Sequence, residues 1–389
     1  MSLRERFGRP LRLGVVGGGP GSWIGQMHRG AAELDGWWRS TAGVFSSDAQ
    51  RSRAAGVALG IDAARSYGSV DEMLAAEKRR EDGVDAVAIM SPNDTHYPVA
   101  AAALDAGFDV VCDKPVTHDF AQARDLVSRT RAQGRLFAIA HGYSAYPMTR
   151  HARHLVRRGA IGAVRFVQVE YIQSGLATRI EDGPQNNRLR WLLDPQRSGQ
   201  ALVMSAIGCH AQHLACFVAG AGVTRVSAEV GALLPQRQVI DHVSALLEFD
   251  GGARGTFTAT QAAAGGENDI RLRVYGEKGL LDWSHRNASY LSLARQGEPA
   301  RTVGRGDPGL PPEIVALGRT PRGHPEGLRE AFANIYAELA QERIARTLGE
   351  VVPELAYPRI EEGAHTMAFI EACIASARER RWIEVARAV

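Results

Sequence analysis

The chain has 389 residues, 45% of them hydrophobic and 23% charged, with a formal net charge of +3 at pH 7. That length exceeds what one hydrophobic core usually organises, so two domains are expected. The near-neutral balance argues against nucleic acid or an anionic membrane as partner, no apolar run approaches the roughly 20 residues of a bilayer span, and no apolar stretch follows the N-terminal MSLRER, so a cytoplasmic protein is expected.

Residues 11–16 read as a short apolar strand running into a glycine cluster, with a helix following to Leu34. Residues 41–45 form a second predicted strand, and Asp48 can cap the helix after it. Ser69-Val70-Asp71-Glu72 has capping-box spacing, in which hydroxyl and carboxylate each satisfy an orphan N–H at a helix start. Strands are then predicted at 84–90, 108–112 and 136–140, with helices at 95–106 and 119–133. Alternating strands and helices with near-continuous apolar strands imply a parallel sheet covered on both faces.

Past Pro147 the texture changes. A helix over 148–158 precedes an alternating strand over 164–172, a Gly/Asn/Pro-rich loop over 174–188 and a helix around 208–219. Strands follow near 223–232, 239–249, 254–262, 270–275 and 289–293, and helices near 326–347 and 359–379. Successive strands without intervening helices suggest a mainly antiparallel sheet open on one face. The expected architecture is α/β plus α+β: a Rossmann dinucleotide-binding domain over 1–145, then a substrate-binding and oligomerisation domain over 146–389 with a large open sheet.

The glycine cluster, Gly17-Gly18-Gly19-Pro20-Gly21-Ser22-Trp23-Ile24-Gly25, sits between the first strand and the first helix. There glycines let the backbone approach a pyrophosphate, and the helix N-terminus offers unbonded N–H groups. Gly17, Gly19 and Gly25 read as the three fingerprint glycines, Ser22 occupying the ordinary third position; a plain flexible loop is the alternative. After the second strand an acid would hold the adenosine ribose of NAD. Ser46 stands there instead, with Arg51 and Arg53 downstream, which favours NADP; Asp48 keeps NAD open or merely caps a helix. Two more motifs end later strands, at the sheet edge where ligands bind: Ser91-Pro92-Asn93-Asp94-Thr95-His96 and Asp113-Lys114-Pro115. Lys114 is one of only three lysines. His210 and His213 have no Cys, Asp or Glu pattern to complete a metal set, and no metal is expected.

These motifs, with Ile207-Gly208-Cys209-His210, Tyr275-Gly276-Glu277-Lys278-Gly279 and Gly323-His324-Pro325-Glu326-Gly327, resemble the Gfo/Idh/MocA oxidoreductases over essentially the whole chain. The resemblance implies reversible oxidation of a secondary alcohol on a sugar, cyclitol or related polyol, with hydride passing to nicotinamide. It implies that Gly17–Gly25, including Trp23 and Ile24, hold the dinucleotide together with Pro92, Asn93, His96 and Lys114. It further implies that Lys114 orients the substrate hydroxyl, that His210 is the general acid/base, and that a homodimer or homotetramer forms through the open sheet. Tyr143, Trp191 and Asp241 are candidate substrate contacts, with interdomain packing (Tyr143) and surface charge (Asp241) as alternatives. One departure stands out. The family motif has an Asp four residues before the His, where this chain has Ala206; Leu192 likewise replaces an Arg common in the related branch. Besides an altered substrate, this leaves open a catalytically impaired dinucleotide-binding regulator and an NAD-dependent glycosidase.

Overall fold

The computed structural model describes residues 3–183, 193–194, 198 and 201–387. The chain divides into one unit of Met1–Gly142 with Leu328–Gly363 and a second of Tyr143–Gly327 with Ala364–Val389.

In the first unit, strands β1 (Leu11–Gly17), β2 (Trp38–Val44), β3 (Ala86–Met90), β4 (Asp109–Cys112) and β5 (Phe137–Ile139) form a parallel sheet in the order β2-β1-β3-β4-β5. Every residue of β3 and β4 is buried, as their unbroken apolar runs require of a sheet covered on both faces. The strand order reverses between β1 and β3, which places a ligand crevice at their carboxyl ends. The helices are α1 (Leu3–Phe7), α2 (Trp23–Leu34), α3 (Ala49–Ala58), α4 (Val70–Arg79), α5 (His96–Asp105) and α6 (Phe120–Ala132). Ser22, Asp48, Ser69 and Asp119 cap α2, α3, α4 and α6, each side chain accepting the N–H three residues on. Such caps contribute about 1 kcal/mol each.

The expected assignment of all of 146–389 to the second domain is corrected by a helix from late in the chain, Leu328–Leu348. It packs on α2: the Tyr336 hydroxyl lies 2.8 Å from His28 Nδ1, and the Tyr336 carbonyl accepts from Trp38 Nε1 at 2.8 Å. Periodicity marks a helix but does not say which sheet it covers.

The second unit contains α7 (Pro147–Arg157), α8 (Cys209–Ala219) and strands β6 (Val164–Gln173), β7 (Val223–Gly231), β8 (His242–Phe249), β9 (Arg254–Thr260), β10 (Asn268–Gly276), β11 (Gly279–Ser284), β12 (Tyr290–Arg295), β13 (Arg301–Gly304) and β14 (Ile383–Glu384). Among the described residues these form a sheet in the order β13-β12-β11-β10-β6-β9-β8-β7-β14, antiparallel except for the β6/β9 pair. One face carries Val167, Val169, Val243, Leu247, Phe257, Ile270, Leu272 and Val274, all buried. The opposite face, expected to be open, is largely polar. Gln168, Arg271, Arg273 and Asp282 lie on it in a network, Arg273 donating to Gln168 at 3.0 Å and Arg271 to Asp282 at 2.6 Å, while Leu246 and Tyr290 are its exposed large hydrophobics. Among the described residues, no helix is long and apolar enough to cross a membrane.

Candidate active site

The turn after β1 is built as a dinucleotide loop needs to be. Gly17, Gly18 and Gly21 have φ of 85°, 63° and 80°, a region L side chains avoid. A Cβ on Gly25 would fall 2.3 Å from the Gly18 carbonyl oxygen, so the close approach of loop and helix requires glycine at Gly25. Arg29 holds the same Gly18 carbonyl. The Ser22 hydroxyl is engaged as the α2 cap, accepting from Gly25 N at 3.1 Å, whereas the Trp23 ring beside it is 63% exposed. Gly19 passes the end of β2, where a Cβ would meet the Phe45 carbonyl at 3.1 Å. These glycines leave a cradle of main-chain N–H groups at a helix N-terminus, a fit for a diphosphate.

At the expected adenosine end, the Ser46 hydroxyl accepts from Asp48 N at 3.2 Å, and Asp48 accepts from Arg51 N at 2.8 Å. Arg53 is committed elsewhere: both Glu72 oxygens lie 2.9 Å from its Nη2, and the Ser66 carbonyl is 3.2 Å from Nη1. The Arg51 side chain is 76% exposed.

At the carboxyl edge of the sheet, Pro92 caps the one-turn 3-10 helix Asn93–Thr95, and Lys114 follows β4 with its backbone N–H donating to Asp113 Oδ1 at 2.8 Å. The Lys114–Pro115 peptide is cis. His96, expected among the dinucleotide-binding residues, is buried, with Nδ1 2.8 Å from the Pro115 carbonyl and Nε2 2.9 Å from the Ser91 carbonyl. Its ring nitrogens are therefore taken up by main chain. Behind it, burial pushes the His28 imidazole down, with Asp113 opposing, and pushes the Cys112 thiol up, so neither ionises near neutrality.

In the second unit His210 lies on α8, just after a π-helical turn, Met204–Gly208, that contains Ala206. The Tyr143 ring meets His210 edge-on at 5.1 Å, and its hydroxyl lies 2.6 Å from that of Tyr171. Asn268 closes the group, donating to Tyr143 at 3.1 Å and accepting from Tyr171 at 2.7 Å. Burial pushes both phenols up, so they stay protonated hydrogen-bonding groups. The sequence reading missed Tyr171 and Asn268; the inward phase of the β6 alternation was the available signal for Tyr171, and nothing local marked Asn268. Asp241 is corrected as a substrate contact. It is fully buried, accepting from Arg237 at 2.9 Å and from Leu233 N at 2.8 Å, while Arg237 also holds Glu181 and the Leu176 and Thr178 carbonyls. This ion cluster fastens two loops. Trp191 and Leu192 lie outside the described residues. Ala206, partly buried, packs against Leu176, Leu202 and Val239, beside Ile180 and Leu193, so the position has apolar neighbours. His213 stacks on Phe217 at 5.8 Å, and among the described residues no group of three or more His, Cys, Asp or Glu could hold a metal.

A parallel sheet with a glycine turn at its switch point, followed by a large mixed sheet, has the architecture of a dinucleotide-binding domain joined to an α+β domain. Residues 11–141 match the model of the oxidoreductase family with an NAD-binding Rossmann fold, and residues 149–282 match that of the GFO/IDH/MocA C-terminal domain. An uncharacterized oxidoreductase, YfiI, of Bacillus subtilis is 32% identical over 97% of this chain and 97% of its own. An inositol dehydrogenase homolog from Azotobacter vinelandii, solved with NAD+, is 32% identical with a TM-score of 0.92 over 97% of this chain and 98% of that one. An inositol dehydrogenase homolog from the same organism, solved with NADH and myo-inositol, gives a TM-score of 0.89 at 30% identity, over 97% of this chain and 98% of that one. The chain belongs to the Gfo/Idh/MocA family and is an oxidoreductase with an NAD-binding Rossmann domain.

Proposed function

We propose that this protein interconverts a secondary alcohol and a ketone on a sugar, cyclitol or related polyhydroxylated small molecule, as a cytoplasmic homodimer or homotetramer. One observation carries the reading: the glycine turn after β1, the Asn93 turn after β3 and Lys114 after β4 gather at one edge of the sheet. The dinucleotide supplies the hydride acceptor. Gly17, Gly19 and Gly25 admit its diphosphate to the α2 N-terminus, with Trp23 and Ile24 alongside, and Pro92 and Asn93 border its nicotinamide end. Lys114 holds the substrate hydroxyl and stabilises developing oxyanion character, while the His210 imidazole takes the hydroxyl proton. The Tyr143–Tyr171–Asn268 group fixes Tyr143 edge-on to the His210 ring and thereby its orientation.

Ser46 in place of an acid favours NADP, but Arg53, paired to Glu72, adds no phosphate contact, so preference rests on Ser46 and Arg51. Polyols, sugars and glycosides should be screened with both dinucleotides at the nicotinamide absorbance. A substrate-dependent signal supports the proposal, and Ser46→Asp should then shift preference towards NAD. Dinucleotide binding without any turnover across the panel would favour an impaired regulator, the reading to which the apolar surroundings of Ala206 lend weight.

A further inference from the structure

We infer that His96 is a positioning residue, protonated on both ring nitrogens, that ties the Asn93 turn to the Lys114 turn. The inference rests on the proposed function for its consequence in catalysis, but not for its geometry. Nδ1 faces the Pro115 carbonyl at 2.8 Å and Nε2 the Ser91 carbonyl at 2.9 Å. Neither oxygen has a hydrogen to give. A neutral imidazole donates once and accepts once, so it would press one lone pair against a carbonyl oxygen at hydrogen-bond distance. Flipping the ring does not help, because it would set carbon where nitrogen now stands, well inside the about 3.3 Å of a C–H···O contact. Two N–H donors satisfy both oxygens.

The placement gives the bond a purpose. Ser91 follows β3 and Pro115 follows β4, whose ladder ends at the Ile89–Cys112 pair and the 2.8 Å bond from Asp113 N to the Ile89 carbonyl. Beyond that point the ladder stops, and His96, the first residue of α5, bridges the two segments. The Ser91 turn is stiff in its own right: the Ser91 and Thr95 hydroxyls lie 2.6 Å apart, and the Thr95 hydroxyl donates to the Pro92 carbonyl at 2.7 Å. His96 thus sets a rigid Asn93 turn against the segment bearing Lys114. The start of α5 and burial both disfavour a cation here. The other ionisable groups around it are His28 on α2, Asp113, Lys114 and Asp94. His28 is held towards neutrality, first by burial, while Asp113 pulls the other way.

The test needs no turnover. Two-bond 15N–1H correlation of the histidine rings at pH 7.5, with His96 assigned through its own Cα, should show both nitrogens protonated. A single-proton tautomer would overturn the inference. Separately, His96→Gln, which keeps an N–H donor, and His96→Ala should be compared with wild type. Positioning predicts at least a tenfold loss in kcat and weaker dinucleotide binding for the Ala variant, partly restored by Gln, with the melting temperature lowered more by Ala than by Gln. Equal kinetics in both variants and wild type would refute the coupling. If wild type bound no dinucleotide, the proposed function would fail, while the ring spectrum would still decide the protonation.

Discussion

Lys114 and His210 carry different halves of the proposed chemistry, and each is separable by mutation. Lys114→Ala and His210→Ala should each lower kcat by a factor on the order of 10² or more, the usual scale for a positioned proton-transfer group. The His210 variant should keep its dinucleotide affinity, because the glycine loop belongs to the first unit and His210 to the second. Steady-state kinetics beside a dinucleotide titration checks both, and near wild-type turnover in either variant removes that residue from the mechanism. Ala206 makes a sharper claim. A carboxylate accepting a substrate hydroxyl is worth roughly 1.5–3 kcal/mol, about ten- to a hundredfold in rate or affinity. Inositols and aldoses should therefore be poor substrates of the wild type, and Ala206→Asp should improve them. It should also lower the melting temperature, since the new carboxylate would press on Leu176, Leu202 and Val239. If the wild type already oxidises these compounds efficiently, another group supplies the acceptor and the claim falls.

At the level of elements, what the sequence revealed was what neighbours in the chain decide. Asp48 and Ser69 cap helices as expected, because a cap needs only the N–H three residues on. The need for glycine at Gly25 is local too, since a Cβ there would strike the Gly18 backbone. Asp241 was not legible: alternation along β8 suggests a face, but its partner Arg237 sits in the preceding loop and also holds Glu181 from another segment. The hydrogen-bond partners of His96 were not legible, because they depend on β3 and β4 being adjacent, a fact of topology. The strand β11 was missed behind the glycine-bounded turn that was read only as a motif. Helix α7 offers a measurable consequence of burial. His151 there is pushed down to about 4 from 6.5, first by burial and then by His154. Its folded form resists protonation while its unfolded form accepts it below 6.5. The unfolded state thus binds more protons between about pH 6.5 and 4, and stability falls as pH drops through that window. The loss tends towards roughly 3 kcal/mol at its acid end. Urea midpoints at pH 7.5 and 5 should fall more for wild type than for His151→Asn; parallel falls would assign the acid sensitivity to other groups.

For the whole molecule, the sheet of the second unit bears on assembly. Its solvent-side face is mixed: Leu246 is 54% exposed among polar and ion-paired neighbours. A homodimer or homotetramer formed there would be held by polar contacts across a broad sheet as much as by apolar burial, and high salt should loosen it. Light scattering at micromolar concentration should give a multiple of the 42.0 kDa chain mass, smaller at high salt. A single chain mass under both conditions would exclude this assembly.

The helix Leu328–Leu348 has a bearing on how the protein is made. During synthesis the five strands of the first unit emerge early, yet the hydrogen-bonding partners of His28 and Trp38 arrive only with Tyr336, some three hundred residues after α2. Until then the nascent unit has an unfinished apolar flank and must wait for nearly the entire second unit to be translated. Folding of the N-terminal part is thereby coupled to completion of the chain, and it pays a long loop-closure entropy. A ribosome stalled anywhere before Tyr336 would present a substrate for chaperones rather than a finished domain. An expressed 1–145 fragment should accordingly be unstable or aggregated, and adding 328–363 back through a short linker should restore cooperative melting. A fragment 1–145 that melts cooperatively by itself would show that the late helix merely decorates an already complete fold.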